Sequence, residues 1–189
     1  MAIIYRATLT PSKPTLVSTW LNGQPWAGRG PDEVLGTYRF DDPEGEVGVE
    51  VFLLRRGDRL LHLPLTYRAA PLPGHGDHLV GTTEHSVLGT RWVYDGTGDE
   101  VALACFRRAL RGEQEQAELE VWEEGRVLAH RPQQVLLSRE TGGDGTGARE
   151  EGRLLLPRVL DEEPEGEQRL IARWGEQHRA VAALAPPGA

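Results

Sequence analysis

Residues Val47 to Leu54 and Arg59 to Tyr67 are two runs rich in branched and aromatic side chains, separated only by Arg55-Arg56-Gly57-Asp58. Two β-favouring arms joined by so short a link predict a tight antiparallel hairpin, because Gly supplies positive φ and Asp tolerates a turn. That hairpin commits the chain to an antiparallel sheet, around which the other patterns must fit. Arg56-Gly57-Asp58 also has the form of an adhesion tripeptide, but a turn already requires Gly and accepts Asp, so the turn is preferred.

Upstream, Ile3 to Leu9 is β-rich, and Ser12 before Lys13-Pro14 reads as an N-cap with proline in the first turn. Asn22-Gly23 ends that helix. Its apolar residues Leu16, Val17, Trp20 and Leu21 form one stripe, which predicts a helix lying on a sheet with Trp20 as its anchor. A Gly/Pro loop from Gly23 to Pro31, a short strand from Gly36 to Phe40 and a turn at Asp41-Asp42-Pro43 lead into the hairpin. Beyond it come a loop at Ala69 to Asp77, apolar Leu79-Val80, a strand through Arg91-Trp92-Val93-Tyr94 and a turn at Asp95-Gly96. Asp99 is placed to cap a helix running to about Leu110, with Gly112 ending it. Cys105 falls within its apolar side and is expected to be inert packing.

The remaining segment reads as strands. Ala117 to Trp122 and Arg126 to His130 flank Glu123-Glu124-Gly125 as a second hairpin, and Gln134 to Ser138 adds a strand. Thr141 to Gly147 is a glycine-rich loop, Leu154 to Leu160 a strand, and Asp161 to Glu167 an acidic loop. Gln168 to Trp174 and Arg179 to Leu184 pair around Gly175, and the tail from Pro186 is expected to fray. The fold class is α+β: an antiparallel sheet with flanking helices over residues 1–112, a β-rich extension over 113–185, and a frayed tail at 186–189.

Composition narrows the function. A net charge of −8 argues against nucleic acid or an anionic membrane as partner. No apolar run reaches the roughly 18 residues of a spanning helix, and the N-terminus lacks a signal segment. With one cysteine there is no disulfide framework, so a cytoplasmic location is expected. The chain has twenty arginines but one lysine, Lys13, and one asparagine, Asn22. Chemistry that depends on a buried lysine or a metal-holding asparagine therefore has almost nowhere to sit.

His75-Gly76-Asp77 resembles the catalytic triplet of aminoglycoside-phosphotransferase-type kinases, in which an asparagine follows five residues after the aspartate to hold magnesium. Here that position is Thr82. His75, Asp77 and His78, with Glu84 and His85, have metal-ligand chemistry, but they match no fixed ligand spacing and lie in or near a flexible loop. Ser12, Ser18, Ser86 and Ser138 lie in no nucleophile motif. The expectations are therefore no catalytic residue, no metal and no cofactor. What remains is a set of aromatic and charged residues in or beside loops: Trp26, Arg29, Tyr67, Arg68, Glu84, His85, Arg91, Trp92, Tyr94 and Asp95. Such side chains anchor partners or sugars through large contact area and directed hydrogen bonds. They serve equally to hold a domain together.

Trp20-Leu21-Asn22-Gly23-Gln24-Pro25-Trp26-Ala27-Gly28-Arg29, Leu61-His62-Leu63-Pro64-Leu65-Thr66-Tyr67-Arg68, Val80-Gly81-Thr82 and Val93-Tyr94-Asp95-Gly96 through Asp99 together resemble the N-terminal cap domain of actinobacterial maltokinases. The order and approximate spacing agree over about residues 1–112. The resemblance implies a curved antiparallel sheet with flanking helices, of cystatin or monellin type. The kinase lysine and magnesium-binding asparagine have no counterpart, and no catalytic lobe follows the cap-like region in this sequence, so the resemblance carries no catalytic residue over. It implies a non-catalytic binding or regulatory module whose protein partner is a sugar kinase or another enzyme of trehalose and glycogen metabolism. The alternative is a sugar or sugar-phosphate binding protein, or an enzyme, using Tyr67 to Asp95. Open strand edges also allow a homodimer.

Overall fold

The computed structural model describes residues 2–5, 7–123, 126–142 and 152–186. In chain order it runs β1 (Ala2–Tyr5), β2 (Leu9–Thr10), α1 (Lys13–Asn22), β3 (Asp32–Phe40), β4 (Gly48–Arg56), β5 (Arg59–Arg68), β6 (Leu79–His85), β7 (Gly89–Asp95) and α2 (Glu100–Arg111). β8 (Leu119–Glu123), β9 (Arg126–Arg131), β10 (Leu136–Thr141), β11 (Arg153–Leu155), β12 (Gln168–Trp174) and β13 (Gln177–Ala185) follow. A curled antiparallel sheet of six strands, ordered β2-β6-β7-β5-β4-β3, dominates the molecule. Four more strands pair in the order β10-β12-β13-β11, and β1 runs parallel to β8, which pairs with β9.

The hairpin of β4 and β5 forms as the sequence predicts: Arg56 pairs with Arg59 across Gly57-Asp58, and Gly57 has φ 58. From Val49 to Leu54 every residue of β4 is buried. A strand buried along both sides needs cover on both faces of its sheet. On one face α1 brings Leu16, Val17 and Leu21 against Phe52, Leu54, Leu61, Leu63, Leu65 and Val93. On the other, α2 brings Cys105, Phe106 and Leu110 against Tyr38, Phe40, Val51 and Leu53. Leu170, Trp174, Val181 and Leu184 of β12 and β13 join this second core. Phe40 and Phe106 meet edge to face at 5.2 Å, a favoured geometry for aromatic quadrupoles.

Both helices start and stop where the caps predict. The Ser12 hydroxyl accepts from the Thr15 N–H, and the Asp99 carboxylate accepts from the Val101 N–H at 3.0 Å. Gly112 closes α2 in the left-handed region with φ 78. Each side-chain cap stabilises its helix by about 1 kcal/mol by satisfying an otherwise orphaned donor.

Several expectations need correction. Trp20 is half-buried rather than the anchor of α1; Val17 and Leu21, each 1% exposed, fill that role because they point straight at the sheet. The strand expected at Gly36 begins at Asp32, and a 3-10 turn at Pro25–Ala27 interrupts the preceding loop. Ile3 to Leu9 splits into β1 and β2, which join different sheets. The run Leu154 to Leu160 is not one strand: β11 ends at Leu155, and Val159 makes an isolated bridge to Leu61. Pro157, which cannot donate to a ladder, stands between them. Parts of the Glu123-Glu124-Gly125 turn, of the Thr141 to Gly147 loop and of the tail lie outside the described residues.

Candidate functional site

Alternation along the strands decides which side chains share a face. Cross-strand pairing aligns Arg39 with Glu50, Gly48 with Tyr67, Tyr67 with Val93, and Thr83 with Arg91. Arg39, Glu50, Tyr67 and Arg91 therefore stand on the face that α1 covers, at the end where α1 begins. Lys13, in the first turn of α1, reaches down to them. Its Nζ donates to Glu50 Oε2 at 2.5 Å and lies 5.0 Å from the centre of the Tyr67 ring. Glu50 is 7% exposed. Burial alone would raise its carboxyl, but the charges of Lys13 and Arg39 and hydrogen bonds from Lys13 and Tyr67 hold it below its ordinary value. The Tyr67 hydroxyl is pushed the other way, by burial first and by Glu50 second.

Next to this cluster is the tip of the β6–β7 hairpin. His85 Nδ1 accepts from the backbone N–H groups of Val87 and Leu88, at 3.2 and 3.1 Å, and Arg91 donates to the Leu88 carbonyl at 2.7 Å. Burial, then the charges of Arg91 and Lys13, lower the His85 pKa, which keeps its ring in the neutral form able to accept. Glu84 accepts from the Thr90 hydroxyl at 2.8 Å. Side chains thus hold the backbone of the tip, while Val87 and Leu88 remain 58% and 42% exposed.

The other candidate residues make contacts that join distant parts of the chain. Arg68 grips Asp99 with two hydrogen bonds of 2.7 Å, and Thr66 donates to the same carboxylate at 2.6 Å. Asp95 accepts from Arg158 Nε at 2.8 Å and from the Thr97 hydroxyl at 2.9 Å. The Arg158 guanidinium also sits 5.5 Å from the Trp26 ring centre, and Trp26 meets Trp20 edge to face at 5.6 Å. Tyr94 accepts from the Leu72 N–H, and Trp92 is half-buried opposite Arg68 in the ladder. The Arg29 side chain is exposed, and its carbonyl lies against Gly57.

Eight of the ten residues that the sequence suggests thus fall into three groups: Tyr67 with Glu84, His85 and Arg91 near the start of α1; Arg68 and Tyr94 on the α2 side; and Trp26 with Asp95 around Arg158. Lys13, Glu50, Arg39 and Arg158 were missed. Glu50 had a visible signal, a carboxylate set between two valines in a strand otherwise apolar up to Leu54.

The tempting motifs resolve simply. Arg56 of the Arg-Gly-Asp tripeptide is 4% exposed and donates to Asp32 at 2.8 Å, so it is closed to a receptor. His75 and His78 lie 6.5 Å apart, ring to ring, and His75 Nδ1 bonds the Pro73 carbonyl. Among the described residues no three His, Cys, Asp or Glu side chains gather as a metal site. Cys105 is fully buried, and burial raises its thiol pKa.

The fold is a mostly β architecture with two helices, one on each side of a curled antiparallel sheet. Within it, residues 20–99 match the family model of the maltokinase N-terminal cap domain. The chain is a cap-domain-like protein over that stretch, which begins at Trp20 and ends at the Asp99 cap of α2. No helix among the described residues is long and apolar enough to cross a membrane. No curated protein and no solved structure matches the chain.

Proposed function

We propose that the protein is a non-catalytic binding or regulatory module of the cytoplasm, and that the β6–β7 tip is its contact surface for a protein partner. The observation that carries this reading is the pair Val87 and Leu88, exposed on a backbone that His85 and Arg91 hold in place. Apolar side chains presented on an ordered turn lose little entropy on docking and bury well against a complementary groove. Glu84, His85 and Arg91 frame them as a polar rim. The resemblance to the maltokinase cap supplies the partner class: a sugar kinase or another enzyme of trehalose and glycogen metabolism. In this reading the cap-like unit over residues 1–112 has a cystatin-like core, and 113–185 extend it.

Arg68, Tyr94, Asp95 and Trp26 act as positioning residues in this reading, since each is bonded to another part of the fold. Isothermal titration of the protein with a maltokinase is the test. Val87→Asp together with Leu88→Asp is expected to abolish binding with thermal stability unchanged, because both side chains are exposed. Turnover of a sugar or sugar phosphate by the purified protein, lost on one substitution, would overturn the proposal.

A further inference from the structure

The tip of the β6–β7 hairpin keeps its shape through an acceptor that a proton can remove. The loop Ser86-Val87-Leu88 joins His85 to its ladder partner Gly89, which closes the turn with φ 71. His85 Nδ1 lies 3.2 Å from the Val87 nitrogen and 3.1 Å from the Leu88 nitrogen. A backbone N–H can only donate, so Nδ1 carries the lone pair and the proton of the neutral ring sits on Nε2. One imidazole nitrogen thus satisfies two successive backbone donors, those of the two residues whose apolar side chains are exposed. The rest of the tip is fastened by other groups. The Ser86 N–H donates to the Thr8 carbonyl and the Ser86 hydroxyl accepts from the Thr8 N–H, each at 3.0 Å, while Arg91 donates to the Leu88 carbonyl.

Protonation of Nδ1 turns that acceptor into a third donor. Three N–H groups then converge, and either the turn opens or the ring leaves it. The surroundings of the ring set when this happens. Among the described residues, Arg91 of β7 and Lys13 of α1 are the charged groups that act on it. β2, which pairs with β6 at this end, brings Leu9 and Thr10 and no charge, and the Glu84 carboxylate is taken up by the Thr90 hydroxyl. Partial burial, then the two cations, hold the ring's pKa below 6.5, so the turn is fastened at pH 7 and the fastening is lost as pH falls.

We propose that His85 regulates the β6–β7 contact surface as a proton-operated catch: neutral, it holds Val87 and Leu88 on an ordered turn ready to dock, and protonated, it releases them, so partner binding weakens on acidification. The effect on the turn is a property of this chain alone. The effect on binding rests on the reading of Val87 and Leu88 as the docking surface.

Two measurements separate these statements. In the first, NMR follows the His85 ring and the backbone order parameters of the tip from pH 8 to pH 5, a range in which folded His62 stays largely neutral. The order parameters of Val87 and Leu88 are expected to fall from about 0.85 towards about 0.6 as His85 protonates, while Ser86, tied to Thr8, changes less. His85→Asn keeps an acceptor oxygen near the place of Nδ1 without a titrating group, so its tip is expected to stay equally ordered across the range. Order parameters that ignore the His85 titration, or that fall alike in His85→Asn, overturn the catch, and so does a ring still neutral at pH 5. In the second, isothermal titration with a maltokinase at pH 7.5 and pH 5.5 is expected to show affinity about tenfold weaker at the lower pH, the factor for ordering a freed backbone residue. Whatever the affinity of His85→Asn, it is expected to change much less with pH, a comparison that removes groups titrating on the kinase. Equal pH dependence in the two proteins overturns the effect on binding. No binding at either pH overturns the docking surface and that effect with it, while the order parameters still decide the catch.

Discussion

The Tyr38 hydroxyl lies 2.7 Å from His62 Nε2, and both side chains are completely buried. His62 Nδ1 sits 3.2 Å from the Pro157 carbonyl, which can only accept, so Nδ1 carries the proton and Nε2 accepts from Tyr38. Neutral His62 is thereby satisfied at both nitrogens, and it ties β3, β5 and the C-terminal segment together. Burial lowers its pKa from 6.5 to about 4.

The pH dependence follows from that difference. Between pH 6.5 and 4 the unfolded chain binds a proton at this residue and the folded chain does not, so folding stability falls as pH falls through that window. It is complete above 6.5, and the loss by pH 4 amounts to about 3 kcal/mol. Glu50 and Asp99, both held low, lose their contributions only at still lower pH. Urea unfolding at pH 7.5 and pH 5 is expected to show the loss in the native protein and a smaller one in His62→Gln. Equal losses in the two proteins would assign the pH dependence elsewhere.

Asp99 does three things with one carboxylate: it caps α2 through Val101, pairs with Arg68, and accepts from Thr66. It is wholly buried, whereas the Arg68 side chain is 20% exposed. Removing the carboxylate strands a largely buried guanidinium and an uncapped helix. Asp99→Ala is expected to cost about 3 to 5 kcal/mol in chemical denaturation. Asp99→Asn keeps an oxygen for the cap and should cost clearly less. Equal losses would show that the charge of Asp99 contributes little.

On α1 the depth of burial orders the substitutions. Leu21 is 1% exposed and packed against the β4–β5 side of the sheet, so Leu21→Ala is expected to cost about 2 to 5 kcal/mol. Trp20 is larger but half-buried, resting on Trp26 at the margin of the core, and Trp20→Ala should cost less than Leu21→Ala. Thermal melts of the two variants decide it, with the reverse order placing the helix anchor at Trp20 after all.

How much of this was legible before the structure depends on how far apart the cooperating residues lie. Ser12 and Asp99 announced their helices, and Gly57-Asp58 its hairpin, because each signal acts over a few residues. The joining of Arg158 to Asp95 spans most of the C-terminal half, and no local pattern encodes it. Nor did periodicity reveal that Arg158 to Leu160 would line the edge of β5, where the His62 N–H donates to the Arg158 carbonyl and the Leu160 N–H to the Leu60 carbonyl. Within the candidate set, Tyr67 and Arg91 were visible as an aromatic and a cation near loops. Their neighbour Arg39 was hidden, and Glu50 showed only as a carboxylate between two valines, because alternation in a sheet covered on one face would send both to solvent. Only the placement of α1 over the second face makes Glu50 a buried partner for Lys13.

Gly81 shows how that placement is made. Its φ is +151, in a region that side chains rarely adopt, and a Cβ there would lie 2.7 Å from Leu16 Cδ1. The ladder between β6 and β7 shifts register beside it, between Leu79 and Gly81, so the strand bends where α1 approaches. Gly81→Ala therefore combines backbone strain with a clash against the helix, and a loss of about 1 to 3 kcal/mol is expected from the strain alone. Leu16→Ala removes the clashing atom at the cost of a cavity. If close approach of α1 is what requires glycine, the double variant Gly81→Ala with Leu16→Ala should lose less than the sum of the single losses. Chemical denaturation of the four proteins measures that difference. Strict additivity would mean that the strained φ alone requires glycine and that α1 has room to shift.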